Sequence, residues 1–498
     1  MLATIASATV AGVDGRPVSV EVHVADGLPG FSIVGLPDAS CREARDRVRA
    51  SLVSSGRTWP MKRITVNLAP GGVPKVGAGL DLPIALGVLM ASGQLPADGT
   101  LGVFGELGLD GSVRSVPGAL PLGDAVVAER VLVPAGDARV VELVAGDRVR
   151  PVRSIVDVVA ALADGLPWPD VPPAPAEPAP LPASDLADVR CQPSARTALV
   201  YAAAGGHHLL LVGPPGAGKT MLARRLPGLL PDLDHEAAME VTRVHSAAGL
   251  SLPAGLVRRP PFRAPHHSAS MAALVGGGSG HARPGEVSSA SHGVLFLDEL
   301  GEFAPSVLDA LRQPLEEGVV RVARSQGTTE QPARVLLVAA MNPCPCGMGG
   351  DVGCRCPAPV RARYARRVSG PLLDRLDLMV HVDRPDPAQL LGPPGEGSDA
   401  VAERVHRVRV LAAERGVRCN AELTDSQLDD AAPLEPDARR VLEDALRRGT
   451  LSARGLRRVR CVARTIRDLD DAGSSLRAAD VLGALALRPR PPLGAIDG

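Results

Sequence analysis

Gly213-Pro-Pro-Gly-Ala-Gly-Lys219-Thr220 sets glycines, a lysine and a hydroxyl at the spacing that cradles the phosphates of a nucleotide. Gly213, Gly216 and Gly218, with Pro214, Pro215 and Ala217 between them, let successive backbone N–H groups converge on phosphate oxygens where a helix begins. Lys219 then neutralises β and γ oxygens, and the Thr220 hydroxyl ligates Mg²⁺. The placement agrees, because the apolar run Leu209 to Val212 precedes the loop and a helical pattern starts near Met221. Lys219 is also one of only three lysines, with Lys62 and Lys75, among 54 basic residues. A chain so biased to arginine keeps a lysine where a compact ammonium does what a planar guanidinium cannot.

Further along, Val294-Leu-Phe-Leu-Asp298-Glu299 ends an apolar run in two carboxylates. Alone this is how many strands leave a core. With a phosphate loop upstream, a parallel sheet would bring Asp298 to hold Mg²⁺ through water and Glu299 to polarise the attacking water. Val335 to Ala340 reads as another buried strand, followed by Met341 and by Asn342, an amide suited to orienting water or sensing a γ-phosphate, and also to a turn. Pro371 to Asp377 sets Arg375 between acids, and Ser452-Ala-Arg454 opens a basic helix. Each arginine fits a surface ion pair as well as a nucleotide-sensing role.

Four soft ligands, Cys344, Cys346, Cys354 and Cys356, fall within 13 residues. They fit a closed structural zinc site or a set of reduced thiols, and the C-x-C pairs are tighter than the usual C-x2-C. Two stretches are locally basic, and each fits a DNA contact as well as a solvated face with nucleotide-sensing arginines. Arg355, Arg361, Arg363, Arg366 and Arg367 occur without an acid, and Arg457, Arg460, Arg464 and Arg467 share one face of the helix that starts at Arg454. Gly318 to Arg334 reads as a hairpin with Arg321 and Arg324 near its tip, and His266 and His267 precede a Gly-rich segment, Gly276 to Gly280.

The elements that must position these groups follow from composition and periodicity. The 498 residues, 45% apolar and 22% charged with a formal charge of -1, suffice for two or three domains with real cores. Neutral charge supplies no long-range attraction to DNA or to an anionic membrane, so any such contact rests on local patches. Nine aromatic residues are too few for a base-stacking platform, which leaves phosphate as the expected target. Eight prolines between Leu166 and Ala183 form an extended spacer and divide the chain. Residues 1–165 mix strands (Val18 to Val24, Lys62 to Leu68) with a helix from Asp38 to Ser55 and read as α+β. Residues 184–384 read as an α/β nucleotide-binding core, and 385–498 as a helical lid. The start of the chain does not read as a signal peptide and no run reaches the ~18 apolar residues of a membrane span, so a cytoplasmic protein without a membrane partner is expected.

Taken in order, these motifs resemble a AAA+ ATPase, and more closely the magnesium-chelatase-like YifB/ComM family. The wording is specific at Gly27 to Asp38, Lys62 to Pro70, Leu80 to Gly87, Pro261-Phe-Arg-Ala-Pro-His-His267 and Met341-Asn-Pro-Cys-Pro-Cys-Gly347. The resemblance implies an amino-terminal domain like the Lon-protease and ribosomal-S5 fold, a P-loop AAA+ core and an all-α lid. It makes Lys219 and Thr220 Walker A contacts, Asp298 and Glu299 the Walker B pair, Asn342 the first sensor, Arg375 an arginine finger acting on a neighbouring subunit, and Arg454 the second sensor. Arg367 and Arg457 are alternatives for those last two roles. It further implies ATP and Mg²⁺ as cofactors, a homo-oligomer, expected to be a hexamer, and single-stranded or branched DNA as partner, with the hairpin of Arg321 and Arg324 as the contact. The expected activity is that of a branch-migration helicase in recombination or natural transformation; the rival is a chelatase-like or chaperone-like remodelling ATPase that does not touch DNA. The family carries Gly where this chain has Cys191, which bears on a turn near the adenine pocket. Ala78 stands where a Lon-type nucleophilic serine is expected, so peptide hydrolysis is not expected.

Overall fold

The computed structural model describes residues 1–173, 185–277, 283–324, 327–348, 354–384, 392–470 and 473–488. Most of the proline spacer, the middle of the Gly-rich segment after His267 and the first residues assigned to the lid lie outside the described residues.

In the amino-terminal part, seven strands form one mixed sheet in the order Gly30–Val34, Arg63–Ala69, Asp14–Ala25, Leu2–Ala11, Leu101–Val103, Arg130–Pro134, Val149–Val152. The period-two valines Val18, Val20, Val22 and Val24 all face inward. They meet the helix Asp81–Ala91, which is apolar all round and buried along its whole length. Burying one such side chain contributes about 1.5–3 kcal/mol, and this sheet–helix contact is the core of the unit. Asp38 starts the helix Ala39–Ser54 by accepting from the Cys41 N–H at 2.8 Å. Ala78 offers no oxygen nucleophile, and the buried Lys75 ammonium donates to the Pro70 carbonyl.

The second sheet is wholly parallel, in the order Phe262–Arg263, Val294–Leu297, Leu336–Met341, Leu209–Val212, Leu378–His381. Its three middle strands are the apolar runs that precede the phosphate loop, the carboxylate pair and Asn342. Because they are parallel and adjacent, all three functional turns emerge at one edge. Helices cover both faces, and Leu209, Leu211, Phe296, Val338 and Ala340 pack on one side while Leu210, Leu295, Leu297, Leu337 and Ala339 pack on the other.

The carboxy-terminal helices, Ser398–Glu414, Asp425–Ala431, Pro436–Arg447, Ala453–Leu469 and Ala478–Ala486, share the first of those apolar clusters. Their packing overturns one expectation about DNA. Arg460 donates to the Leu428 and Ala432 carbonyls and pairs with Asp429, Arg464 is 2% exposed and donates to Gly473 and Ser474, and Arg467 lies 3.9 Å from the buried Asp480. Arg457 donates to Leu423. This arginine face caps carbonyls inside the lid, so it is internal scaffolding and not a phosphate-binding surface.

The two halves touch. Helix Ala119–Ala125 packs on helix His235–Ala248, where Arg243 reaches Asp124 at 2.8 Å and the Ser246 hydroxyl accepts from Leu120 N at 3.2 Å.

Candidate nucleotide site

Gly213 follows directly on strand Leu209–Val212, and a side chain there would collide with the Val382 carbonyl of the adjacent strand exit. Gly216 and Gly218 have φ of +78° and +94°, where a side chain is strained, and no atom lies within 4 Å of a Cβ built at Gly216. The loop is therefore an open cradle of backbone groups ending at helix Lys219–Ala223. The Lys219 ammonium folds back into it, donating to Gly213 O at 2.6 Å, Pro214 O at 3.0 Å and Asn342 Oδ1 at 3.1 Å. Burial lowers its pKa, against the opposing pull of Asp298 and Glu299. A phosphate in the cradle would give that ammonium the full counter-charge it lacks. The Asn342 amide is thus placed by the next strand against the lysine that would meet the γ-phosphate.

The Thr220 hydroxyl donates to Asp298 Oδ2 at 2.6 Å, while Asp298 Oδ1 accepts from the Glu299 N–H at 2.9 Å. A hydroxyl and a carboxylate in contact at the edge of a phosphate cradle are the hard oxygen donors that suit Mg²⁺, so the residues fit MgATP. When bound, the ion neutralises phosphate charge. Glu299 has φ +53°, a left-handed conformation that costs a non-glycine residue roughly 1–2 kcal/mol. The strain is a feature expected of a functional turn. His267 Nδ1 stands 3.2 Å from Glu299 Oε2 and its ring packs edge-on against Phe303, so a loop following strand Phe262–Arg263 holds the carboxylate. The Pro-His-His run is visible in the sequence, but its contact with Glu299 carries no sequence signal.

Arg375 and Arg454 are elsewhere. Arg375 precedes strand Leu378–His381, whose residues pair in register with Leu209–Val212, so it and the phosphate loop lie at opposite ends of neighbouring parallel strands, about 13 Å apart along the strand. The residue is 7% exposed, its guanidinium donating to Arg312 O at 3.0 Å and Pro371 O at 2.6 Å and pairing with Glu316 at 2.8 Å. Arg454, with a side chain 64% exposed, lies 3.8 Å from the same Glu316. Arg454 borders a cleft of about 940 Å³ lined by His208, Glu316, Asp377, Arg409 and Arg458 among others, and Arg375 is tied to that cleft through Glu316. Arg458 fastens this end by donating to Arg375 O at 2.6 Å and Asp377 at 2.5 Å. Burial opposes ionisation of Asp377, but Arg458 and the neighbouring histidines hold its carboxyl below the usual range. Glu316, which joins the two arginines, is one acid among many in the sequence and has no distinguishing spacing.

Cys191 adopts φ +61° immediately before Gln192, whose amide donates to Asp383 O at 2.7 Å. A residue other than glycine thus makes this left-handed turn, at a conformational cost. Cys191→Gly should therefore raise stability by about 0.5–1 kcal/mol, read as a higher apparent unfolding temperature, with ATP affinity unchanged; a lower unfolding temperature would contradict it.

Three family models match successive parts of the chain: subunit ChlI of Mg-chelatase over residues 20–137, magnesium chelatase subunit ChlI over 185–390, and its C-terminal region over 395–488. An uncharacterized protein of Mycobacterium tuberculosis is 46% identical over 498 residues, covering 97% of both chains. YifB of Escherichia coli is 42% identical over 471 residues, 92% of both chains, and the competence protein ComM of Haemophilus influenzae is 42% identical over 478 residues, 94% of both.

Proposed function

The chain belongs to the YifB/ComM family of magnesium-chelatase-like AAA+ ATPases, and from that premise we propose that it is a ring-forming ATP-driven motor acting on DNA, specifically a branch-migration helicase. The observation that carries the motor reading is the division of the site. Lys219, Thr220, Asp298, Glu299 and Asn342 converge at the carboxyl ends of the parallel strands, whereas Arg375 and Arg454 sit at the amino ends beside Glu316. No chain can complete its own site with those arginines, and a closed ring of copies places one edge against the other. Glu299 polarises the water, Asn342 and Lys219 orient and neutralise the γ-phosphate, and an arginine from the next subunit stabilises developing charge.

For DNA, support comes from a relative named for competence and from one surface. Arg355, Arg363 and Arg366 are exposed on and beside helix Ala358–Ala365 and have no carboxylate partner among the described residues. The hairpin expected between Gly318 and Arg334 is present as strands Val319–Arg324 and Gly327–Pro332, but Arg321 is paired with both Glu317 and Glu330, so its charge is already offset. The side chain of Arg324 lies outside the described residues. ATP turnover measured with and without single-stranded and forked DNA across a salt series tests the reading. DNA should stimulate turnover, and log affinity should fall with log salt by about 0.7 per neutralised phosphate. Replacing Arg355, Arg363 and Arg366 with Ala should lower that slope by about 2, on the same scale, and Arg321→Ala should leave it nearly unchanged. No stimulation by either DNA at any salt would favour a remodelling ATPase with another substrate. Among the described residues no helix is long and apolar enough to cross a membrane.

A further inference from the structure

The loop that follows Asn342 gathers four thiols onto the phosphate cradle. The Sγ atoms of Cys344, Cys346, Cys354 and Cys356 all lie within 4.8 Å of one another, with separations of 3.3 Å between Cys344 and Cys346, 3.9 Å between Cys344 and Cys354 and 3.6 Å between Cys346 and Cys354. A tetrahedral ion with metal–sulfur bonds of ~2.3 Å sets its sulfurs about 3.8 Å apart, within half an ångström of these three separations, whereas a disulfide needs ~2.05 Å. Thiols are weak hydrogen-bond donors and acceptors, so four of them gain little by converging on each other alone. The donor set is all sulfur with no carboxylate or imidazole, which disfavours Mg²⁺ and Ca²⁺ and suits a closed structural zinc centre.

The surroundings say what such an ion would do. Gly347, at φ +82°, packs so closely on Pro215 of the phosphate loop that a Cβ would strike the proline ring. On the other side the Cys356 carbonyl accepts from Arg361 at 3.0 Å, which fastens the cluster to helix Ala358–Ala365. From that helix the Tyr364 ring packs against Gly301, two residues after Glu299. One end of the cysteine cluster therefore abuts Walker A and the other, through one helix, the segment after Walker B. We propose that Cys344, Cys346, Cys354 and Cys356 bind one zinc ion whose role is to hold this loop against Pro215, so that zinc occupancy sets the affinity for ATP. Sequence spacing alone leaves these residues open between zinc and reduced thiols; the convergence of their sulfurs and the contact of Gly347 with Pro215 carry the step further. The inference rests on ATP binding by the Walker A loop and not on any action upon DNA.

The test uses the full-length protein purified under reducing conditions. Elemental analysis should find about one zinc per chain and no stoichiometric iron or copper. Stripping with a high-affinity chelator should weaken ATP binding, measured by calorimetry, at least tenfold while the far-ultraviolet circular dichroism is retained, and added Zn²⁺ should restore it. Cys354→Ser with Cys356→Ser should lose the zinc and show the same weakening; should that variant not fold, the chelation and refilling of the wild-type chain decides alone. Protein that holds no zinc even after Zn²⁺ is added, or that holds iron or copper instead, overturns the site. Stripped protein that binds ATP as well as the filled form overturns the coupling. Neither readout involves DNA or turnover, so failure here is distinguishable from failure of the DNA-motor reading.

Discussion

Glu299→Gln protein should bind ATP as tightly as the unmodified chain and hydrolyse it ~10²–10⁴-fold more slowly, the usual contribution of a positioned general base, while Lys219→Ala protein should not bind measurably. The asymmetry follows from what each side chain touches. Lys219 has three acceptors, two of them carbonyls of the phosphate loop itself, and it supplies the only ammonium in a cradle built of backbone groups and glycine turns. Deleting it removes the charge that balances the phosphates and leaves the Gly213 and Pro214 carbonyls pointing into the vacated space. Glu299 acts on the Lys219 ammonium only through its charge and makes no hydrogen bond to the cradle among the described residues. Its carboxylate is half exposed, 54%, and its nearest partner is His267. Replacing one carboxylate oxygen by an amide preserves size and the left-handed turn but removes the acceptor that polarises water. Binding measured by calorimetry and turnover by phosphate release separate the two; equal loss of binding in both variants would show that Glu299 holds nucleotide instead of activating water.

Much of this site is legible in the sequence because its parts are local. A four-residue apolar run followed by a Gly-rich loop, by Asp298-Glu299 or by Asn342 declares a buried parallel strand and its carboxyl-end turn. Parallel pairing does the rest by bringing all three turns to one edge. Cys191 is legible as a departure only through the resemblance, which sets glycine there, and its φ of +61° gives the physical reason. What could not be read was long-range pairing between ordinary residues. The spacing of Arg457, Arg460, Arg464 and Arg467 puts them on one face, but nothing in it says that the face meets the carbonyls of Leu423, Leu428, Gly473 and Ser474 instead of solvent. Glu316 and His267 matter only through partners 59 residues or more and 32 residues away in Arg375 and Glu299, respectively. The cysteine spacing announced soft ligands; only the fold shows them leaning on Pro215.

Mixing two inactive variants should produce an active enzyme. Arg375→Ala protein keeps an intact Walker A and Walker B, so it should bind ATP, but with no finger from its neighbour turnover should fall by roughly 10³–10⁵, the range for arginine fingers in phosphoryl transfer. Lys219→Ala protein has the reverse defect, and mixed rings contain interfaces in which one subunit's intact cradle faces another's intact arginine. Part of the activity should return in proportion to subunit exchange. The structure adds a condition: Arg375 is held by Arg312 O, Pro371 O and Glu316, so to reach a neighbour's γ-phosphate it must exchange the Glu316 carboxylate for phosphate oxygens. One anionic partner replaces another, so the exchange is close to balanced and needs only that the neighbour's nucleotide be present. Arg454 is already exposed, on the cleft that Glu316 also lines, so Arg454→Ala should leave the fold intact and also be rescued by Lys219→Ala protein. If subunits are shown to exchange and only Arg454→Ala is rescued, then Arg375 is a strut for the Arg312–Glu317 helix and Arg454 is the finger; if neither is rescued, the ring mechanism fails, because no arginine at the amino ends of the strands would then be serving a neighbour's site.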